Sequence, residues 1–189
     1  MARILTFDQS SSKTGWAFGM DRSNERWLFG SFRVPKRDAD GERLVIFRDD
    51  LIEKIEALKP DLVAYETPFS PVSTQGQEQG DRARFSIKVV RLLAKIEGVL
   101  EEACSRHDVP YESYASSTWR VTALGFGRLP KGSPDDFKTL MKRRARALGY
   151  EVKDDNEADA IGLLMHALHG APGVARSQDD LLERAVATL

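Results

Sequence analysis

Three acidic residues stand where predicted elements of secondary structure end or begin. Asp8 follows the apolar run RILTF, Glu66 follows LVAY, and Asp159 lies near the start of the apolar segment after DDNEA. The carboxyl ends of neighbouring strands in an α/β sheet open into a common crevice, so Asp8 and Glu66 converge if their strands are adjacent. A helix that crosses the same edge would bring Asp159 to them.

Such a cluster has a definite chemistry. Carboxylates held together repel one another unless a cation lies among them, and their hard oxygen atoms suit Mg²⁺ or Mn²⁺. Two such ions about 4 Å apart can activate a water molecule on one side of a phosphodiester and stabilise the leaving oxygen on the other. The three acids therefore indicate a metal site that could hydrolyse a phosphodiester.

Each acid also has a structural alternative. Asp8 could form an Asx-turn with the following QSSS, and Glu66 could simply end its strand. The acids before the last helix are typical helix caps that complement the helix dipole, and at least two of them are expected to do only that. Asn156 precedes Asp159 by three residues on the same helical face and could offer a further oxygen ligand.

The elements that must position these residues follow from the hydrophobic pattern. Three apolar runs near residues 3–7, 15–20 and 26–34, separated by turn-forming residues, predict a β-meander. Apolar residues from Leu44 to Leu58 recur at three- and four-residue steps, which predicts an amphipathic helix that ends at the following Lys-Pro. The segment DLVAYE then reads as a buried fourth strand.

The second half of the chain alternates helices and strands. The pattern predicts a helix from Phe85 to Ala103, a fifth strand in VPYESYA, a short helix in STWRVTAL, and helices over Pro134–Leu148 and Asn156–His169. A basic loop, GFGRLPKGSP, precedes the fourth of the five predicted helices, and a tail with a small terminal helix is expected after residue 170. This order is typical of an α/β domain.

Composition bounds the class of protein. The 189 residues are 41% hydrophobic and 30% charged, which fits one globular domain. The net charge of −1 gives no overall electrostatic preference for nucleic acid or membrane. The single cysteine, Cys104, excludes an internal disulfide or a Cys-rich zinc site and fits a reducing compartment. With no apolar stretch long enough for a membrane span, we expect a cytoplasmic protein without a membrane partner.

Positive charge is nevertheless concentrated in two places. Arg84, Lys88, Arg91 and Lys95 recur along one face of the predicted second helix. Between residues 128 and 146, seven basic residues stand against two acidic ones, a local balance of +5. Such a segment could bind phosphates and release counterions, although the stripe on the second helix could also be an ordinary solvated face.

Three motifs in this order resemble the metal-binding motifs of RuvC-type Holliday junction resolvases, including their phage-encoded relatives. They are ILTFDQSSSKTGWA, LVAYETPF and NEADAIGLLMHAL, and the resemblance spans residues 3–169. It implies an α/β fold of the RNase H-like type, with a five-stranded mixed sheet whose first three strands are antiparallel and with helices on both faces. The expected organisation is a nuclease domain over residues 1–170, followed by the tail over 171–189.

The resemblance also implies a ligand set. Asp8, Glu66 and Asp159 would hold two Mg²⁺ ions, which Mn²⁺ could replace, and these ions would drive hydrolysis of DNA to 5′-phosphate and 3′-hydroxyl ends. The family commonly has an aspartate three residues before the last acid, where this chain has Asn156. An amide oxygen can bind Mg²⁺ but without charge, so Asp155 or Glu157 could serve instead.

Partners follow from the same resemblance. Arg120 and Lys131 fall near the family's basic residues beside the scissile phosphate, and Phe69 corresponds to an aromatic residue that contacts unpaired bases, unless it packs into the core. A homodimer packed through the second helix would match the near two-fold symmetry of a four-way DNA junction. The residues predicted to contact DNA are Phe69, Arg84, Lys88, Arg91, Arg120, Arg128, Lys131, Lys138 and Lys142.

The sequence therefore predicts a divalent-metal-dependent endonuclease that cleaves Holliday junctions or related branched DNA. One alternative is a non-catalytic module that binds branched DNA and whose metal site has decayed through Asn156. A second is suggested by FDQSSSKTG, which also resembles the phosphate-binding turn of sugar kinases and actin-like ATPases. Those proteins need two such domains around a nucleotide, whereas this chain supplies one.

Overall fold

The computed structural model describes residues 2–21, 25–36, 39–68 and 87–170. Its sheet has five strands in the order β3-β2-β1-β4-β5. The strands are β1 (Arg3–Asp8), β2 (Lys13–Met20), β3 (Leu28–Arg33), β4 (Leu62–Glu66) and β5 (Tyr111–Tyr114).

The sheet is mixed, as the family resemblance implies. Strand β2 pairs antiparallel with both β1 and β3, whereas β4 pairs parallel with both β1 and β5. The first and fourth strands are thus adjacent, which is the condition for Asp8 and Glu66 to converge. Their pairing places Phe7 opposite Tyr65, so Asp8 and Glu66 both follow directly after this pair at the same edge of the sheet.

Helices cover both faces of the sheet. They are α1 (Asp40–Leu58), α2 (Ile87–Arg106), α3 (Ser116–Leu124), α4 (Phe137–Ala147) and α5 (Asp155–Gly170). Successive residues of a strand point to opposite faces, and β1 accordingly supplies Ile4 to one core and Leu5 and Phe7 to the other. The first core contains residues of α3, α4 and α5, and the second contains residues of α1 and α2.

The predicted helices differ from the observed ones mainly at their ends. Helix α1 ends where the Lys59-Pro60 signal places its end, and Lys59 adopts a left-handed conformation with φ of 47°. Helix α4 begins at Phe137 rather than at Pro134, because the Asp136 side chain accepts a hydrogen bond from the Thr139 backbone N–H and caps the helix. The predicted start of α2 at Phe85 and the tail after residue 170 lie outside the described residues.

Cys104 is fully buried in the core between the sheet and α2. Within the described ranges, none of the helices has the length and hydropathy that a membrane crossing requires.

Candidate active site

Asp8 and Glu66 lie on the face of the sheet that α5 covers. Residues of one strand that are two apart share a face, so Asp8 belongs with Ile4 and Thr6, and Glu66 belongs with Ala64. Ile4 and Ala64 are both in the core that contains α5. The two acids therefore extend from the strand ends toward the helix that carries Asp159.

Helix α5 is held close to this face by small side chains and one buried hydrogen bond. The Thr6 hydroxyl, which is fully buried, donates to the Ala160 carbonyl at 2.9 Å. A Cβ atom at Gly15 would lie 2.0 Å from the backbone carbonyl oxygen of Asn156, so only glycine permits this approach. Gly15 pairs with Asp8 in the sheet, and this contact therefore places the start of α5 beside Asp8.

The hydroxyl-rich turn after β1 is closed without Asp8. The Ser10 hydroxyl accepts a hydrogen bond from the Lys13 backbone N–H at 3.1 Å and donates to the Lys13 carbonyl. The side-chain amide of Gln9 donates instead to the backbone carbonyl of Glu66, at 3.2 Å. The turn is thus a serine turn, which favours the reading of Asp8 as a site residue over the Asx-turn alternative.

The three acids share one electrostatic field. Burial raises the pKa of Asp8 well above its ordinary value, and the negative charges of Asp159 and then Glu66 raise it further. Burial, followed by the charge of Glu66, raises the pKa of Asp159 from 3.8 to about 7. Burial also raises the pKa of Glu66. A charge shifts the pKa of another group in this way only when the two lie close together, so these shifts are what the predicted convergence would produce.

The donor set fits a hard divalent cation. The Oδ1 atom of Asp159 is buried and has no hydrogen-bond partner among the described residues. An orphaned carboxylate oxygen beside two more carboxylates is costly unless a cation pairs with it. However, no three His, Cys, Asp or Glu side chains in the described ranges are already close enough together to hold one ion. Three carboxylates that repel one another would have to draw together around the cation.

Arg120 opposes the negative charge of all three acids. The charge of Arg120, from α3, acts to lower the pKa of Asp8, Glu66 and Asp159. Its guanidinium lies 4.4 Å from the ring centroid of Phe137 and 5.1 Å from that of Trp119. The family resemblance implies a basic residue beside the scissile phosphate near Arg120, and Arg120 is close enough for its charge to act on all three acids.

Trp119 also lies at the site, although the sequence does not indicate it as a site residue. It is fully buried, and its indole Nε1–H donates to Glu66 Oε2 at 2.9 Å. Its position in the amphipathic pattern of STWRVTAL indicates only a core residue, and nothing in that pattern reveals a partner 53 residues away.

The acidic residues at the start of α5 divide into two groups. Asp154 and Glu157 serve the helix: the Asp154 side chain accepts from the Glu157 N–H at 3.1 Å, and the Glu157 side chain accepts from the Lys153 N–H at 2.8 Å. Asp155 instead forms an ion pair with Lys138, and its charge contributes to the raised pKa of Asp8 and Asp159. Two of these acids thus bond to backbone N–H groups at the start of the helix, as expected, but they do not do only that, because Asp154 also pairs with Lys13 and Glu157 also accepts from the Ser31 hydroxyl.

Asn156 lies beside the site with one hydrogen bond assigned. Its Nδ2 atom donates to the Lys13 carbonyl at 3.3 Å, and its backbone packs on Gly15. Both carboxylate oxygens of Glu157 already accept hydrogen bonds, one from the Ser31 hydroxyl and one from the Lys153 backbone N–H. Asn156 and Asp155 therefore remain the candidates for a fourth ligand.

The residues predicted to contact DNA fall into three groups. Arg120 and Lys138 border the carboxylates, while Arg128 and Lys131 are exposed in the loop between α3 and α4, and Lys142 lies on α4. Lys88 and Arg91 are exposed on α2, which packs on the opposite face of the sheet, and Lys95 of the same stripe pairs with Asp40 at 2.7 Å. Phe69 and Arg84 lie outside the described residues.

These elements define an RNase H-like α/β domain with an acidic cluster at the end of its first and fourth strands. No protein-family model matches the chain. Among solved structures, it is similar to RuvC from Thermus thermophilus, with 18% sequence identity and a TM-score of 0.66 over 88% of this chain and 94% of that one.

Two further structures show the same likeness. One is Thermus thermophilus RuvC in complex with Holliday junction substrate, with 14% identity and a TM-score of 0.64 over 93% of this chain and 99% of that one. The other is the yeast mitochondrial Holliday junction resolvase Ydc2, with 11% identity and a TM-score of 0.54 over 99% and 83%. The fold of the chain is that of the RuvC-type resolvases, which confirms the predicted fold class.

Proposed function

We propose that the chain is a divalent-metal-dependent, structure-selective DNA endonuclease that cleaves Holliday junctions or related branched DNA. The observation that carries this proposal is the placement of Asp8, Glu66 and Asp159, from distant parts of the sequence, at one end of the sheet, where Asp159 and Glu66 raise the pKa of Asp8 and Glu66 raises that of Asp159. Structural relatives that are junction resolvases support the choice of substrate.

The residues that would hold the metal are the three acids, with Asn156 or Asp155 as a further ligand. When bound, Mg²⁺ or Mn²⁺ ions supply an activated water molecule and stabilise the charge that develops on the phosphodiester. The buried Oδ1 atom of Asp159, which lacks a donor among the described residues, is one acceptor that such a cation would satisfy.

The chain's own cations would bind the DNA phosphate. Arg120 lies between two aromatic rings, and its Nε atom is buried without a hydrogen-bond partner among the residues described. This packing limits the rotamers of the guanidinium, so that less entropy is lost when it contacts the phosphate beside the carboxylates. Lys138, paired with Asp155 at the rim, and the exposed Arg128 and Lys131 would extend this contact along the strand.

The second part of the proposal is a homodimer. A four-way junction has two opposed strands to cut, so a symmetric pair of active sites would match it. Helix α2 exposes Ile87, at 65% of its surface, beside the basic Lys88 and Arg91. We place this face of α2 in the dimer contact, but a single exposed apolar residue is ordinary on a protein surface, and the dimer is argued from the symmetry of the junction.

The test is cleavage of a labelled four-way junction in Mg²⁺ by the wild-type protein, Asp8→Asn and Asp61→Asn. Asp61 precedes β4 at the opposite end of the sheet and pairs with Arg3, so its variant is a matched control for loss of one carboxylate. We expect symmetric nicks from the wild type and the control, and none from Asp8→Asn. Binding of the junction by the wild type without nicks would refute the proposal and favour a non-catalytic module.

A further inference from the structure

We propose that Trp119 is a positioning residue that fixes the Glu66 carboxylate for metal binding. This inference rests on the proposed function of the site and assigns a role to a residue outside the acidic cluster. It starts from one contact: the indole Nε1–H of Trp119 donates to Glu66 Oε2 at 2.9 Å.

The contact selects one oxygen of the carboxylate. An indole has a single donor and no acceptor, so this hydrogen bond holds Oε2 and leaves Oε1 as the oxygen available to a cation. The donor is also neutral. A lysine or arginine at this place would fix the carboxylate too, but its positive charge would compete with the metal ion. A tryptophan orients Glu66 and leaves its negative charge to the metal.

The indole ring is itself held in place. Trp119 is fully buried, and a Cβ atom at Gly162 of α5 would lie 2.8 Å from its Cζ3 atom, so α5 packs directly on the ring. On another side, the Arg120 guanidinium lies 5.1 Å from the ring centroid. Because α5 also carries Asp159, the same ring links the position of Glu66 to the helix that supplies the third acid.

A purely structural role for Trp119 makes a different prediction. If the ring only fills the core and Glu66 merely satisfies its N–H, loss of that N–H would lower the free energy of unfolding and leave metal affinity unchanged. If the hydrogen bond positions Glu66, metal affinity should fall, because groups that orient metal ligands typically contribute 10- to 100-fold. Metal binding therefore separates the two roles.

The experiment is calorimetric titration of the full chain with Mn²⁺, without DNA, for the wild type, Trp119→Phe and Trp27→Phe. Phenylalanine keeps an aromatic ring at residue 119 and removes only the donor with part of the ring. Trp27 stacks on Tyr150, with 5.4 Å between ring centroids, and is the control for loss of an indole elsewhere. We expect about 10-fold or greater weakening for Trp119→Phe and wild-type affinity for Trp27→Phe.

A second measurement needs no variant at Trp119 and covers the case in which Trp119→Phe fails to fold. The indole N–H resonances of the wild type are followed by NMR during Mg²⁺ titration and are assigned through Trp16→Phe and Trp27→Phe. The Trp119 resonance should shift saturably with the midpoint of metal binding, while that of Trp27 stays in place.

The outcomes are distinguishable. Wild-type affinity in folded Trp119→Phe, or a Trp119 resonance that does not respond to Mg²⁺, would overturn the positioning role and leave the metal site intact. Failure of the wild type to bind Mn²⁺ would overturn the proposed function, and the role of Trp119 with it.

Discussion

Replacing Asp159 by asparagine should stabilise the metal-free protein at high pH. The pKa of Asp159 rises from 3.8 to about 7 in the folded protein, through burial and the charge of Glu66. The folded state therefore keeps a proton that the unfolded state releases, so stability falls as pH rises between these two values and stays low above them. Asparagine carries no charge at any pH and escapes this loss.

The size of this stabilisation follows from the rise in the pKa of Asp159. A change of about 3 pKa units corresponds to at most about 4 kcal/mol at 1.36 kcal/mol per unit. Asp159 keeps some solvent access, so screening lowers the expected gain to about 1 to 2 kcal/mol above neutral pH. The difference in free energy of unfolding between the variant and the wild type should increase from about pH 4 and become constant above about pH 7.

The assay is urea unfolding in chelator at several pH values, repeated in Mg²⁺. Bound metal stabilises the folded wild type by mass action, so Mg²⁺ should reverse the order of the two proteins at pH 8. The control is Asp61→Asn, since the hydrogen bond and charge of Arg3 lower the pKa of Asp61. That variant should lose a little stability above about pH 4, the opposite sign. Parallel pH curves for wild type and Asp159→Asn would refute the reasoning.

Three further outcomes are expected. Gly15→Ala should lower the free energy of unfolding by about 1 to 3 kcal/mol or more in urea, since its Cβ would lie 2.0 Å from the Asn156 carbonyl oxygen. The control Gly98→Ala has open space around it and should stabilise α2 by about 0.5 to 1 kcal/mol. Equal effects of the two variants would contradict the close approach of α5. Arg120→Met should leave Mn²⁺ affinity equal or higher in calorimetry while junction cleavage falls at least 10-fold, and lost metal affinity would argue against a phosphate-binding role. Asn156→Asp should tighten Mn²⁺ binding in calorimetry if residue 156 is a ligand, and if only Asp155→Asn changes the affinity, Asp155 is the ligand instead.

The order of the elements along the chain could be predicted because it depends on local patterns, namely short apolar runs, turn residues and the Lys59-Pro60 stop signal. Their arrangement in the sheet, in which Asp8 and Glu66 end adjacent strands, is not local, and the family resemblance was the guide to it. The capped start of α4 has a weaker local signal, since aspartate is a preferred N-cap residue and Asp136 stands directly before Phe137. The predicted start at Pro134 gave too much weight to proline at a first helical turn.

The contacts around the acids could not be predicted, because they depend on how helices are rotated against one another. Whether the indole of Trp119 reaches Glu66 is decided by the packing of α3 on α5, which sequence spacing does not determine. The pairing of Lys138 with Asp155 likewise joins two helices whose relative orientation is a tertiary property. The sequence pattern indicated a basic segment, but not which of its residues faces the site.

The most direct test is the position of Mn²⁺ in crystals of the protein, located by anomalous scattering. The account predicts at least one ion bound by oxygens of Asp8, Glu66 and Asp159, with Glu66 using the oxygen that Trp119 leaves unbound. Saturating Mn²⁺ without an anomalous peak among these three residues, or with the ion bound elsewhere, would contradict the central claim that they form one metal site.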